Sequence, residues 1–215
     1  MNNLYIFGDS FSTNFTSTNE VEINDSWPIL LSEKLNLNLI NHAIIGASNG
    51  EIINKFFEKY EDIKKDDIVI FEIGFYNRVL DPFQNTTIAI GYDDRFIKVE
   101  MDFFEYKSLD MDEYIRQDLR KMEFIFNYLK TIGVKFYIWC IDRDLDPINE
   151  KYGFSHFQFV VRHKFSDNII QYNNQFSFFD NFIKKNPQYW CSDGDKHFNK
   201  LGHLEFFQYL YPYIQ

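Results

Sequence analysis

"LYIFGDSFS", residues 4–12, sets a short apolar and aromatic run directly against Gly8-Asp9-Ser10. Leu4 to Phe7 reads as a buried strand and the tripeptide after it as a turn. Two readings of Ser10 follow. It is either a nucleophile presented at a strand end, or only the residue that closes the strand. Gly tolerates unusual backbone angles, and Asp and Ser bond to nearby amides, so the second reading needs no chemistry. The rest of the chain has to decide between them.

Three further stretches share the character of the first: "LNLINHA" (37–43), "DIVIFEIG" (67–74) and "VKFYIWCI" (134–141). Helical patterns lie between them. "DSWPILLSEKLN" (25–36) gathers Trp27, Leu30, Leu31 and Leu35 on one face, with Ser26 as the expected cap and Pro28 in the first turn, where its missing N–H costs nothing. "GEIINKFFEKYEDI" (50–63) repeats the pattern, and "MDEYIRQDLRKMEFIFNYLKTIG" (111–133) sustains it until Gly133. Strand and helix in alternation predict an α/β fold with a parallel sheet covered on both faces.

"QFSFFDNFI" (175–183) is rich enough in aromatics for a fifth strand, although its period also suits a helix. "NKLGHLEFFQYLYPYI" (199–214) predicts a terminal helix capped by Asn199. Two long connections, 75–110 and 142–168, remain, and the alternation around Gly91-Tyr92 in the first suggests a hairpin. Long connections of this kind are usually functional. With no repeat, low-complexity tract or linker, residues 1–215 are expected to form one domain.

Composition narrows the function. Hydrophobic residues make up 45% of the 215 residues, with 25 Phe and 14 Tyr, which suits a large aromatic core. The net charge is −10 and the longest basic cluster is "RHK" (162–164), so nucleic acid is not an expected partner. The first strand begins at once after Met1, which leaves no room for a signal peptide, and no apolar stretch reaches the ~20 residues of a membrane span. A cytoplasmic protein with no membrane association is expected, with its oligomeric state left open. Cys140 and Cys191 lie far apart with no metal-like spacing, and read as a buried thiol and a loop thiol. "DRDLDP" (142–147) starts like a calcium loop, but Pro147 occupies the required glycine position, and the motif is rejected.

In an open parallel sheet, ligands bind beyond the carboxyl ends of the strands. Ser10, Gly46 and the segment after Gly74 all follow predicted strands, so they arrive at that edge together. A serine there becomes a nucleophile only with a base in reach and donors for the oxyanion. Of the five histidines, His42 lies in a predicted strand and reads as core, while His156 and His163 lie in a long loop. His197 falls in the polar "CSDGDKHFNKLGH" (191–203), with Asp193 and Asp195 close by to orient its ring. His203 lies one turn into the last helix, where packing is the better reading.

At these positions the sequence resembles the SGNH (GDSL-type) hydrolases. "GDS" after the first strand, "SWPILLSEKLNLNLINHAIIGAS" (26–48) and "DKHFNKLGH" (195–203) are similar to blocks I, II and V of that family, in the right order and spacing over nearly the whole chain. The resemblance implies a three-layer α/β/α sandwich, flavodoxin-like in style, with a central parallel sheet of about five strands. It also implies serine-dependent acyl transfer, mostly ester hydrolysis, without a metal or organic cofactor. Carried across, Ser10 matches the nucleophile, His197 the general base, and Gly46 the block II glycine whose amide serves the oxyanion hole together with the amide of Ser10.

Two blocks depart from the pattern. Block III usually reads Gly-x-Asn-Asp, but this chain has "GFYNR" (74–78), so the third oxyanion donor is either Asn77, displaced by one residue, or absent. Asp9 and Arg78 are the candidate substrate contacts. The block V acid normally stands three residues before the histidine, where this chain has Gly194. Both Asp195 and Asp193 stay open as the acid, with Asp195 favoured. The expected activity is hydrolysis of small acyl esters, O-acetyl groups on carbohydrate in particular. The alternatives are a non-catalytic glycan- or protein-binding module of the same fold, or an O-acyltransferase using the same serine.

Overall fold

The computed structural model describes residues 2–13, 23–75, 78–80, 87–89, 111–141, 161 and 163–215. At its centre four parallel strands run in the order β2-β1-β3-β6, with β1 at Asn3–Phe7, β2 at Asn38–Asn41, β3 at Ile68–Ile73 and β6 at Lys135–Cys140. Tyr5 sits beside Ile40 on one side and Val69 on the other, and Val69 in turn sits beside Phe136. The inner strands are continuous apolar runs because both of their faces are covered. The edge strand β2 exposes Asn38 and Asn41, which explains its more polar sequence.

Alternation along the strands divides the core in two. Tyr5, Phe7, Val69, Phe71 and Ile73 pack against α2 (Asn49–Lys59) and α3 (Met111–Thr131). Leu4, Ile6 and Ile70 face α1 (Trp27–Leu35) and the C-terminal helix α4 (Lys200–Ile214). The result is a three-layer α/β/α arrangement. Caps fix where the helices begin. Ser48 caps α2 through a capping box with Glu51, and Asn199 accepts the Gly202 amide at 2.9 Å to start α4. Ser26 occupies the cap position of α1, but its side chain makes no capping bond.

The sheet has four strands rather than about five. The segment 175–183 touches it through a single bridge, Cys140 with Ser177, and Ile169 adds another at Ile138. Beyond that the chain turns into a π-helical segment, Phe179–Ile183. Its bulky residues recur at helical spacing, so Phe178 and Phe182 both point into the core while the Phe182 amide bonds the Phe178 carbonyl at 2.8 Å. A short antiparallel pair, β4 (Arg78–Leu80) with β5 (Thr87–Ala89), lies in the first long connection. The turn expected at Gly91-Tyr92 lies outside the described residues, as does most of the second connection. Among the described residues, no helix is long and apolar enough to cross a membrane.

Candidate active site

The turn after β1 is held from several directions. Asp9 Oδ1 accepts the Phe11 amide at 2.9 Å and so starts a tight 3-10 turn over Ser10–Ser12. Trp27 Nε1 donates to the Phe11 carbonyl at 2.8 Å, and Asn41 Nδ2 donates to the Ser12 carbonyl at 2.9 Å. Gly8 is required by space. A Cβ there would lie 2.3 Å from Glu72 Oε2 and 2.7 Å from Ser12 Oγ. Gly8→Ala is therefore expected to destabilise the fold by about 1–3 kcal/mol, the usual range for overpacking, as read from the midpoint of denaturant unfolding.

The segment around His197, expected as a polar loop, is a β-hairpin. Its strands are β7 (Trp190–Ser192) and β8 (Asp195–Phe198), joined by a turn at Asp193-Gly194. In a strand, residues two apart share a face, so Asp195 and His197 point the same way. Asp195 Oδ1 lies 2.5 Å from His197 Nδ1 and also accepts the His197 amide at 3.0 Å. The other ring nitrogen, Nε2, lies 2.7 Å from Ser10 Oγ. Phe11 stacks on the imidazole at 4.8 Å between centroids and limits its rotation. Asp193 is exposed at the hairpin tip. The structure therefore brings Ser10, His197 and Asp195 into one line of contacts and leaves Asp193 outside it.

Gly46 sits in the connection between β2 and α2 with φ of 76°, a left-handed value that glycine adopts at little cost. The same connection is tied to the Ser10 turn by the Ile44 amide, which donates to the Gly8 carbonyl at 3.0 Å. Among the described residues, no acceptor takes up the amide of Ser10 or of Gly46. Asn77 lies outside the described residues. Arg78 is placed by its backbone in β4, opposite Ala89. Asp9 has no exposed surface to offer a substrate, because its side chain is turned inward against the Phe11 amide and Glu72.

The remaining histidines separate cleanly. His156 lies outside the described residues, and His163 is exposed. His42 lies just past β2, half-buried against Tyr5 and Phe7. His203 is buried in α4, where its Nδ1 accepts the Trp27 amide at 3.3 Å. Burial pushes the His203 pKa down to about 3. An unfolded chain would protonate this ring below about 6.5, whereas the folded one resists until about 3, so its contribution is present above 6.5 and lost on acidification. Stability attributable to His203 should fall by roughly 1.4 kcal/mol per pH unit across that window. His203→Asn, which keeps an acceptor near Nδ1, should flatten the dependence in pH-resolved unfolding.

Three polar residues were not among the sequence candidates. Ser12, at the end of the Ser10 turn, and Glu72 are buried and joined by a 2.5 Å hydrogen bond. Asn49 opens α2 and binds Gly74 twice, accepting its amide at 2.8 Å and donating to its carbonyl at 3.2 Å, which fixes the end of β3 against the helix. Glu72 carries a visible signal, being the one charged residue inside the apolar run of β3. Among the described residues, no cluster of His, Cys, Asp and Glu could hold a metal ion.

No family model matches the sequence, and no curated protein matches it. Solved structures do match its fold. The psychrotrophic esterase EstA from Pseudoalteromonas sp. aligns with a TM-score of 0.60 at 14% identity, over 100% of this chain and 97% of that one. A lipolytic protein of the G-D-S-L family from Desulfitobacterium hafniense gives 0.59 at 12% identity, over 99% of each chain. The fold is that of the SGNH hydrolases. The acetyl xylan esterase AlAXEase aligns with a TM-score of 0.53 at 18% identity, over 99% of this chain and 100% of that one. In this SGNH fold Ser10 stands beyond the carboxyl end of a central strand, and the hairpin carrying His197 meets it there.

Proposed function

We propose that the protein is a serine esterase acting on small acyl esters, with Ser10 as nucleophile, His197 as general base and Asp195 as the acid that orients it. The observation that carries the reading is the run of contacts from Ser10 Oγ to His197 Nε2 at 2.7 Å and from His197 Nδ1 to Asp195 at 2.5 Å. The pattern is that of a nucleophile with a base in reach and a third group fixing the base. Nε2 takes the Ser10 proton as Oγ attacks the ester carbonyl. The amides of Ser10 and Gly46 face the developing oxyanion, and the imidazolium returns its proton to the leaving alkoxide. Water then repeats the sequence to release the acid and free Ser10.

Acetyl esters of carbohydrate are the proposed substrate class. The fold shared with an acetyl xylan esterase supports this, and the net charge of −10 disfavours strongly anionic substrates. Comparing p-nitrophenyl acetate with p-nitrophenyl octanoate, and acetylated with non-acetylated xylan, tests it. Acetate should be preferred at least ~10-fold in kcat/KM, and acetate should be released from the xylan. Preference for octanoate would move the substrate to lipids or thioesters. The altered blocks III and V favour a non-catalytic module of the same fold; the contact of Asp195, two residues before His197 in β8, with the imidazole supports the esterase reading over it.

A further inference from the structure

The carboxyl group of Glu72 is fully buried and faces the turn that carries Ser10. Its Oε2 accepts the Asp9 amide at 3.0 Å and the Ser12 hydroxyl at 2.5 Å, so the residues on both sides of Ser10 hang on one oxygen. Its other oxygen, Oε1, meets no donor among the described residues. The Asp9 side chain lies within hydrogen-bonding reach of the Glu72 carboxyl. Two carboxylates are both acceptors and cannot bond each other unless one of them carries a proton. Gly8 leaves the space in which the Glu72 carboxyl reaches Ser12.

The geometry points to a proton shared by Asp9 and Glu72 that fixes the nucleophile turn, with Glu72 as its positioning residue. Burial first, and then the Asp9 charge, hold the Glu72 carboxyl well above the usual carboxylate range, while the Ser12 hydroxyl and the Asp9 amide pull the other way. Asp9 is the titratable group that faces it. With the proton in place, Glu72 accepts from the Asp9 amide and from Ser12 and at the same time bonds the Asp9 side chain, whose Oδ1 holds the Phe11 amide. Loss of that proton sets two buried negative charges side by side, and the turn must open to relieve them. The expected consequence is an alkaline limb in Ser10 reactivity that does not originate in His197.

This inference rests on the esterase reading only for its kinetic readout. The test compares wild type, Glu72→Ala and Glu72→Gln by the rate of Ser10 modification with a fluorophosphonate across pH. Glu72→Ala should slow the reaction ~10²-fold, the scale of a misplaced reacting group. Glu72→Gln should restore most of that rate, because its amide oxygen accepts from Asp9 and Ser12 and its NH₂ donates to the Asp9 carboxylate. It should also abolish the alkaline limb, since an amide does not titrate. A purely space-filling Glu72 would leave the shape of the profile alike in wild type and Glu72→Gln. Either that result, or a Gln variant as slow as the Ala variant, overturns the proposal. The infrared spectrum gives a readout that needs no reactivity: wild type at neutral pH should show the C=O stretch of a protonated carboxyl, absent in Glu72→Gln. A missing band in wild type overturns the shared proton. A band present in a protein whose Ser10 fails to react leaves the pair standing and removes the esterase reading instead.

Discussion

Replacing Ser10 with alanine is expected to lower kcat on p-nitrophenyl acetate by at least ~10³-fold, with little change in the unfolding midpoint. The large effect on rate follows from the role of the oxygen: without Oγ no acyl-enzyme forms, and the amides and His197 are left to assist water alone. The small effect on stability follows from how the turn is built. Asp9 Oδ1, Glu72 Oε2 and Trp27 Nε1 hold its backbone from three sides, and none of those bonds uses the Ser10 hydroxyl. Steady-state kinetics paired with denaturant unfolding of the same preparation checks both halves. Unchanged turnover in a folded Ser10→Ala protein would remove the esterase reading.

The second large effect is expected at Asp195. A carboxylate at His197 Nδ1 accepts the ring N–H, which leaves Nε2 free to accept the Ser10 proton. Asparagine at the same place can present its NH₂ to Nδ1 and so favour the opposite tautomer, with Nε2 carrying the hydrogen and unable to act as a base. Asp195→Asn should therefore reduce kcat by ~10²-fold or more, with a smaller change in KM. Asp193→Asn provides the contrast. That side chain is exposed at the hairpin tip, two residues before the acid that bonds the ring, and its replacement should change kcat little. Parallel kcat measurements on the two variants check the assignment, and damage from Asp193→Asn alone would transfer the role.

Strands β1, β3 and β6 were legible because a parallel strand with both faces covered is apolar on both and therefore reads as a continuous run. "LYIF", "IVIFEI" and "KFYIWC" leave little else for those segments to be. Segment 175–183 suited either state: aromatic richness suits a strand, but the Phe178–Phe182 spacing closes a helical turn, and the helical state prevails because the core on that side takes both rings. The polar residues around His197 suggest a loop because they hide a strand whose inward face meets Ser10 rather than a core. Asp195 was preferred for its nearness in sequence, whereas the geometry that brings it to the ring is the two-residue period of β8. Glu72 stands out as the one charged residue in the β3 run, but its role does not, because its partners Asp9 and Ser12 lie some 60 residues away.

The central claim is that Ser10 is a nucleophile activated by His197. The most direct measurement is mass spectrometry of the protein after exposure to a fluorophosphonate, with the adduct mapped by peptide fragmentation. The account predicts one adduct, on Ser10, formed readily by wild type and strongly suppressed in His197→Ala while persisting in His203→Asn. An unmodified folded protein, or an adduct on a residue other than Ser10, would contradict it.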